Sequence, residues 1–121
     1  MSEQEIENEI QEKGLNAPRL SPQDIDNEIV SEKYHRFENT TVTVCLLILK
    51  NGFTVVGESA CVSMTNFNEE LGKKIAKADA RNKLWNLLGF LLKEDIFQGR
   101  ITEPALAPEA GATATAPNEV K

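Results

Sequence analysis

Asn51-Gly52 separates two apolar runs, Val42-Thr43-Val44-Cys45-Leu46-Leu47-Ile48-Leu49 and Phe53-Thr54-Val55-Val56. This is a strong short-range hairpin signal, because both central residues of a two-residue type I′ turn need positive φ, which Asn and Gly tolerate. The hairpin spans residues 40–63 and is followed by a long amphipathic helix over residues 65–92 that carries the only Trp of the 121-residue chain. Nearly all burial has to happen in these two elements.

A two-residue loop places Ile48 opposite Val55, Leu46 opposite Gly57, Val44 opposite Ser59 and Val42 opposite Cys61. One face then holds Val42, Val44, Leu46, Ile48, Phe53, Val55 and Cys61. The other holds Thr43, Cys45, Leu47, Leu49, Thr54, Val56, Glu58 and Ala60. Both faces are largely apolar, whereas a sheet with one wet side alternates apolar and polar residues. A two-stranded ribbon is marginal alone and has two unpaired edges, so the pattern predicts a homo-oligomer assembled through the hairpin by strand pairing or face packing. The register sets Cys45 opposite Glu58 with Cys61 three pairs away, which argues against an intrachain disulfide.

In the long helix, with Ser63 or Thr65 as the expected cap, Leu71, Ile75, Ala78, Asn82, Trp85, Gly89 and Leu92 recur at steps of four and three. Asn82 is the polar interruption of that seam. Ala76, Ala80, Leu84, Leu87, Leu88 and Leu91 form a second line, and Gly89 is expected to kink or end the helix.

Residues 1–32 hold nine acids and two bases, a balance of −7, against +3 for residues 33–101 and −2 for the rest. Within this acidic arm a first short helix places Ile6 and Ile10 four apart and stops near Gly14. A second starts with Ser21 as N-cap, Pro22 at the first helical position and Asp24 in the first turn, with Ile25, Ile29 and Val30 as its stripe. Residues 2–10 and 21–29 align almost residue for residue, a likeness that shared capping and stripe chemistry accounts for without a duplication. Residues 102–121 form an Ala/Pro/Thr tail, where disorder is expected. The expected fold class is α+β: one domain over residues 1–101, with two short N-terminal helices, an antiparallel β-hairpin, one long amphipathic helix and the tail.

No apolar signal core opens the chain and no run approaches the ~18 apolar residues of a membrane span, so a cytoplasmic protein with no membrane partner is expected. No Cys/His set has zinc spacing, no Gly-rich phosphate loop is present, and no cofactor is implied. An acidic arm repels nucleic acid at long range.

Lys13-Gly14-Leu15, Ala17-Pro18-Arg19, Asn51-Gly52-Phe53-Thr54-Val55, Gly57-Glu58-Ser59-Ala60-Cys61, Asn66-Phe67, Gly72, Asn82-Lys83, Trp85 and Gly89 occur in the order and spacing of a known family. Over residues 1–92 the chain resembles the small tailed-bacteriophage proteins of the gene product 49 / gene 66 family. The resemblance implies a phage or prophage accessory protein acting in the bacterial host cell, in a family without an established activity. The link between Tyr34 and the first strand is shorter here than in that family.

Candidate ligand-binding or interface residues are Glu58, Ser59, Asn82, Lys83, Trp85, Lys73, Lys77 and Arg81. Glu58 is a charge on an apolar face, which needs a partner or solvent. Ser59 stands in a Gly-Glu-Ser-Ala-Cys run that only superficially resembles a nucleophile motif, since it lies inside a strand. Asn82 offers donors and an acceptor to strand ends, with Lys83 beside it, and Trp85 is a core residue or a stacking platform. Lys73, Lys77 and Arg81, four apart, make a basic stripe that Glu69 and Glu70 partly neutralise. The lone histidine, His35, sits beside Tyr34 and Arg36 without a nucleophile or carboxylate motif.

The expected function is therefore non-enzymatic: an oligomer that binds and neutralises a host component, either a host protein or a small anionic signalling molecule, in the manner of counter-defence. Alternatives are a nucleic-acid-binding regulator using the basic stripe and a small enzyme with Glu58 as acid or base.

Overall fold

The computed structural model describes residues 2–15 and 17–103. Helices α1 (Glu3–Glu12) and α2 (Pro22–Glu28) lead into strand β1 (Ile29–Arg36), which pairs antiparallel with β2 (Thr43–Leu49). The sheet is completed by β3 (Thr54–Ser59), in the order β1-β2-β3, and a 3-10 turn (Met64–Asn66) precedes the long helix α3 (Glu69–Phe97). The fold is α+β, as expected, with one strand more than the hairpin. The expected tail falls, from residue 104 on, outside the described residues.

Strand β1 carries Glu32, Lys33, His35 and Arg36 among its apolar residues, the composition of a sheet edge rather than of a buried strand. Ile29 and Val30, expected on the stripe of the second helix, belong instead to this strand, because α2 ends at Glu28. Both arm helices are capped by serine, Ser2 accepting from the Glu5 amide and Ser21 forming a full capping box with Asp24.

The hairpin register differs by one residue from the expected one. The Leu49 amide donates to the Phe53 carbonyl at 2.9 Å and the Gly52 amide returns to the Leu49 carbonyl at 2.9 Å, so the loop is residues 50–52. Gly52 has φ 87° while Asn51 is not among the residues at positive φ, so the turn is a type I turn closed by a left-handed glycine rather than a type I′ pair. Asn51 contributes through its side chain, whose Oδ1 accepts from the Phe53 amide at 2.9 Å.

Thr43 therefore faces Ser59, Val44 faces Glu58, Cys45 faces Gly57 and Leu47 faces Val55. A one-residue slip exchanges the faces of one strand relative to the other. The two mixed apolar faces become one buried face of Thr43, Cys45, Leu47, Leu49, Val55, Gly57 and Ser59, and one open face of Val44, Leu46, Ile48, Thr54, Val56 and Glu58. Both thiols are free, Cys45 in the core and Cys61 half-buried.

Helix α3 lies on the buried face. The expected seam is out of phase, since Leu71 is 54% and Ile75 49% exposed and Asn82 is exposed, and the buried line is Gly72 followed by Ala76, Ala80 and Leu84 of the expected second line. Small residues win because the helix comes very close to β3. A Cβ on Gly57 would stand 2.2 Å from the Ala76 carbonyl oxygen and 2.2 Å from the Ala80 amide nitrogen. Larger apolar side chains at those helix positions would hold the helix away from the strand. The core consists of Ile25, Cys45, Leu47, Leu49, Val55, Ala76, Ala80 and Leu84, with Trp85, Leu87 and Leu88 packed on it. Gly89 does not end α3, which continues to Phe97. Its N-cap is Asn68, with Ser63 capping the 3-10 turn instead.

Candidate functional site

The acidic arm meets the basic stripe of α3. The Arg81 guanidinium donates from Nη2 to Glu3 Oε1 at 2.6 Å and from Nε to Glu3 Oε2 at 3.1 Å, while Nη1 donates to Asp26 Oδ1 at 2.6 Å. One arginine thus joins α1, α2 and α3, with the fork geometry that suits a carboxylate. Trp85 Nε1 donates to Glu3 Oε2 at 3.1 Å. These bonds, led by that of Arg81, hold the Glu3 carboxyl below its ordinary range, and Glu3 in turn raises the Arg81 guanidinium. One turn along α1, Glu7 takes both forks of Arg19 at 2.6 and 2.8 Å, which lowers its carboxyl as well.

Between α1 and α3 lies a cleft of about 360 Å³, floored by Ile6, Ile10, Leu20, Pro22 and Trp85 and rimmed by Glu3, Glu7 and Asn82. Its volume is at the low end for small-molecule sites. Its rim is acidic and the arginines behind that rim are occupied, so the cleft does not suit an anion.

The remaining stripe follows the same logic. Lys77 pairs with Glu32 of β1 at 2.9 Å, and Lys73 lies 5.7 Å from the centre of the Tyr34 ring. The expected pairs from Glu69 and Glu70 to Lys73 and Lys74 are not among the ion pairs of the described residues; the arm and β1 supply carboxylates to Lys77 and Arg81.

Glu58 and Lys83 lie elsewhere, on the outer edge of β3. Glu58 is exposed on the open face rather than buried, and its amide donates to Asp79 Oδ2 at 2.9 Å. Lys83 Nζ donates to the Val56 carbonyl at 2.7 Å and stands 3.6 Å from Asp79. Ser59 is under the helix, its hydroxyl donating to the Gly72 carbonyl at 2.8 Å, which is a packing role. His35 is exposed and stacks edge-on against Phe37 at 4.6 Å. The structure thus gathers Arg81, Asn82 and Trp85 at the arm cleft, sets Lys73 and Lys77 beside β1, and leaves Glu58, Ser59 and Lys83 apart.

Sequence reasoning missed Glu3, Asp26 and Asp79. The signal for the first two is the opposite charge of arm and body, which draws them together.

Among the described residues no group of three or more His, Cys, Asp or Glu side chains is placed to hold a metal ion, and no helix is long and apolar enough to cross a membrane. Comparison with curated proteins and with solved structures finds no match. A family model does match over residues 20–96, a span that includes Asp26, the three strands and α3 up to Ile96. The chain belongs to the phage protein (N4 Gp49/phage Sf6 gene 66) family.

Proposed function

We propose that this phage-family protein is a non-enzymatic, oligomeric binding protein that neutralises a host component by occupying it, and that the component is a host protein held on the open face of the sheet. One observation carries the reading. Val44, Leu46, Ile48 and Val56 form an apolar centre on that face, Val56 being 47% exposed, and α3 packs only on the opposite face. Lys33 and His35 of β1 and Glu58 of β3 surround it as a polar rim, the arrangement of a protein interface. A small anionic signal is less well served, because Lys77 and Arg81 are already matched by Glu32, Glu3 and Asp26. The same pairing weakens the nucleic-acid alternative. Glu58 is exposed on the open face, and no observation favours the acid-base alternative.

The test is comparative retention. Tagged chain should hold one stoichiometric protein from host lysate, and Leu46→Glu with Val56→Glu should lose it while keeping the wild-type Tm. Equal retention by both chains would sink the reading. A rise in Tm with one member of a nucleotide panel would move it to the small anion.

A further inference from the structure

The two edges of the sheet are treated differently. Hydrogen-bonded pairs alternate along an antiparallel ladder. From the Leu49–Phe53 pair, the backbone groups of Thr54, Val56 and Glu58 must point away from β2. Two of those outward groups are taken by α3: the Glu58 amide by Asp79 and the Val56 carbonyl by Lys83. A second strand cannot add there without breaking both bonds.

On the other edge, the Phe37 amide donates to the Val42 carbonyl at 3.3 Å, so the ladder turns the backbone groups of Glu32, Tyr34 and Arg36 outward. No side chain of the described residues bonds to them, and β1, at eight residues, is longer than β3, at six. An uncovered edge of this kind is a template for another strand.

We infer that β1 pairs antiparallel with β1 of a second copy about a two-fold axis at Tyr34, joining two sheets into one of six strands. Charge fixes the register. With Tyr34 opposite its counterpart, Glu32 of each copy stands opposite Arg36 of the other, whereas a shift of two residues toward the N-terminus sets Lys33 against Lys33. Arg36 is available for this: its Nη2 donates to the Thr40 carbonyl and its guanidinium carbon lies 4.3 Å from the centre of the Phe67 ring, but it has no carboxylate among the described residues. Glu32 accepts one bond at each oxygen, from Lys77 and from the Tyr34 hydroxyl, and a carboxylate has lone pairs left for Arg36. Each dimer gains two such pairs, and its open apolar face doubles in width. The inference sharpens the oligomeric part of the proposed function, replacing the hairpin as the joining element, and does not depend on the host component.

The test is a charge exchange read by sedimentation. The wild-type chain should be a dimer at micromolar concentration. Glu32→Arg alone, and Arg36→Glu alone, each create two like-charge pairs and should weaken self-association by about tenfold or more. Mixed in equal amounts, the two variants should recover a dimer, because a heterodimer restores opposite charges at both positions. Should Arg36→Glu fail to fold, Glu32→Pro serves instead, removing an outward amide and the carboxylate together and giving a monomer of unchanged α-helix content. A monomeric wild type, or variants that self-associate as strongly as wild type, would overturn the inference. A dimer lost in Leu46→Glu but kept in Glu32→Arg would assign association to face packing and overturn it too. Host-protein retention is a separate readout and can fail while the dimer stands.

Discussion

Helix α3 makes two contacts of opposite character. Against β3 it approaches until a Cβ on Gly57 would overlap the backbone of Ala76 and Ala80, and both alanines are fully buried. Against α1 it is held by the forks of Arg81 and the Trp85 indole on Glu3, beside an unfilled cleft of about 360 Å³. The first contact is short-range packing, which is lost abruptly when a volume changes. The second is charge at a partly solvated site, where Ile6 remains 46% exposed, and it is graded by pH and salt. Cooperative stability therefore belongs to the sheet and α3, and α1 is the element that opens first.

The largest effect expected of any single change tests the close contact. Gly57→Ala puts a methyl into two backbone atoms that cannot move without lifting the helix, so denaturant unfolding should report a loss above about 3 kcal/mol. A Tm within a degree or two of wild type would mean that α3 rides higher on the sheet than described. Next in size is Ser59→Ala, which removes the bond from the Ser59 hydroxyl to the Gly72 carbonyl and should cost about 1 kcal/mol without affecting any binding readout. A selective loss of binding by this variant would return Ser59 to the functional residues.

Most elements of the fold are legible in the sequence; the two contacts of α3 are not. Apolar runs around Asn51-Gly52 identified β2 and β3, and the serine caps identified both arm helices. The turn type differs from the expectation because Asn-Gly also serves a three-residue loop, with Asn51 bonding through its side chain and only Gly52 left-handed. That one residue inverted the faces. The two apolar lines of the helix are ranked wrongly for a related reason: size favours Leu71 and Ile75, while a close strand selects Gly72 and, from the second line, Ala76 and Ala80, and only the position of Gly57 distinguishes the two. Strand β1 was hidden by its charges, which suit an edge and which pair with a distant helix through Glu32 and Lys77. Of the candidate residues, Arg81 and Trp85 were found without their partners, because ion pairs between segments nearly eighty residues apart leave no local pattern.

The smaller effects belong to the arm. Glu3→Gln removes the charge that Arg81 and Trp85 both address, yet the site is exposed enough that global stability should fall by only about 0.5 kcal/mol or less. The informative readout is local. Faster amide exchange in α1, together with a shift in the emission of the single Trp, should appear while exchange in β2 is unchanged. Uniform acceleration across the sheet would show the arm to be part of the cooperative core.

Acid should reproduce that opening in the unmodified chain. The Glu3 and Glu7 carboxyls are lowered in the folded protein, first of all by Arg81 and by Arg19 respectively. A carboxyl whose folded value lies below its unfolded one adds stability above the unfolded value, about pH 4.3, and loses it as pH falls through the folded value. Docking of α1 should accordingly be constant from neutral pH down to about pH 5 and fail below about pH 4, ahead of the sheet. Raising the salt concentration should move this release to higher pH by weakening both ion pairs, whereas a packing contact would respond little. The small contact beneath Gly57 contains no titrating group, so Trp85 emission should change with acid before any loss of strand signal. Coincident loss of both would erase the distinction between the two faces of α3.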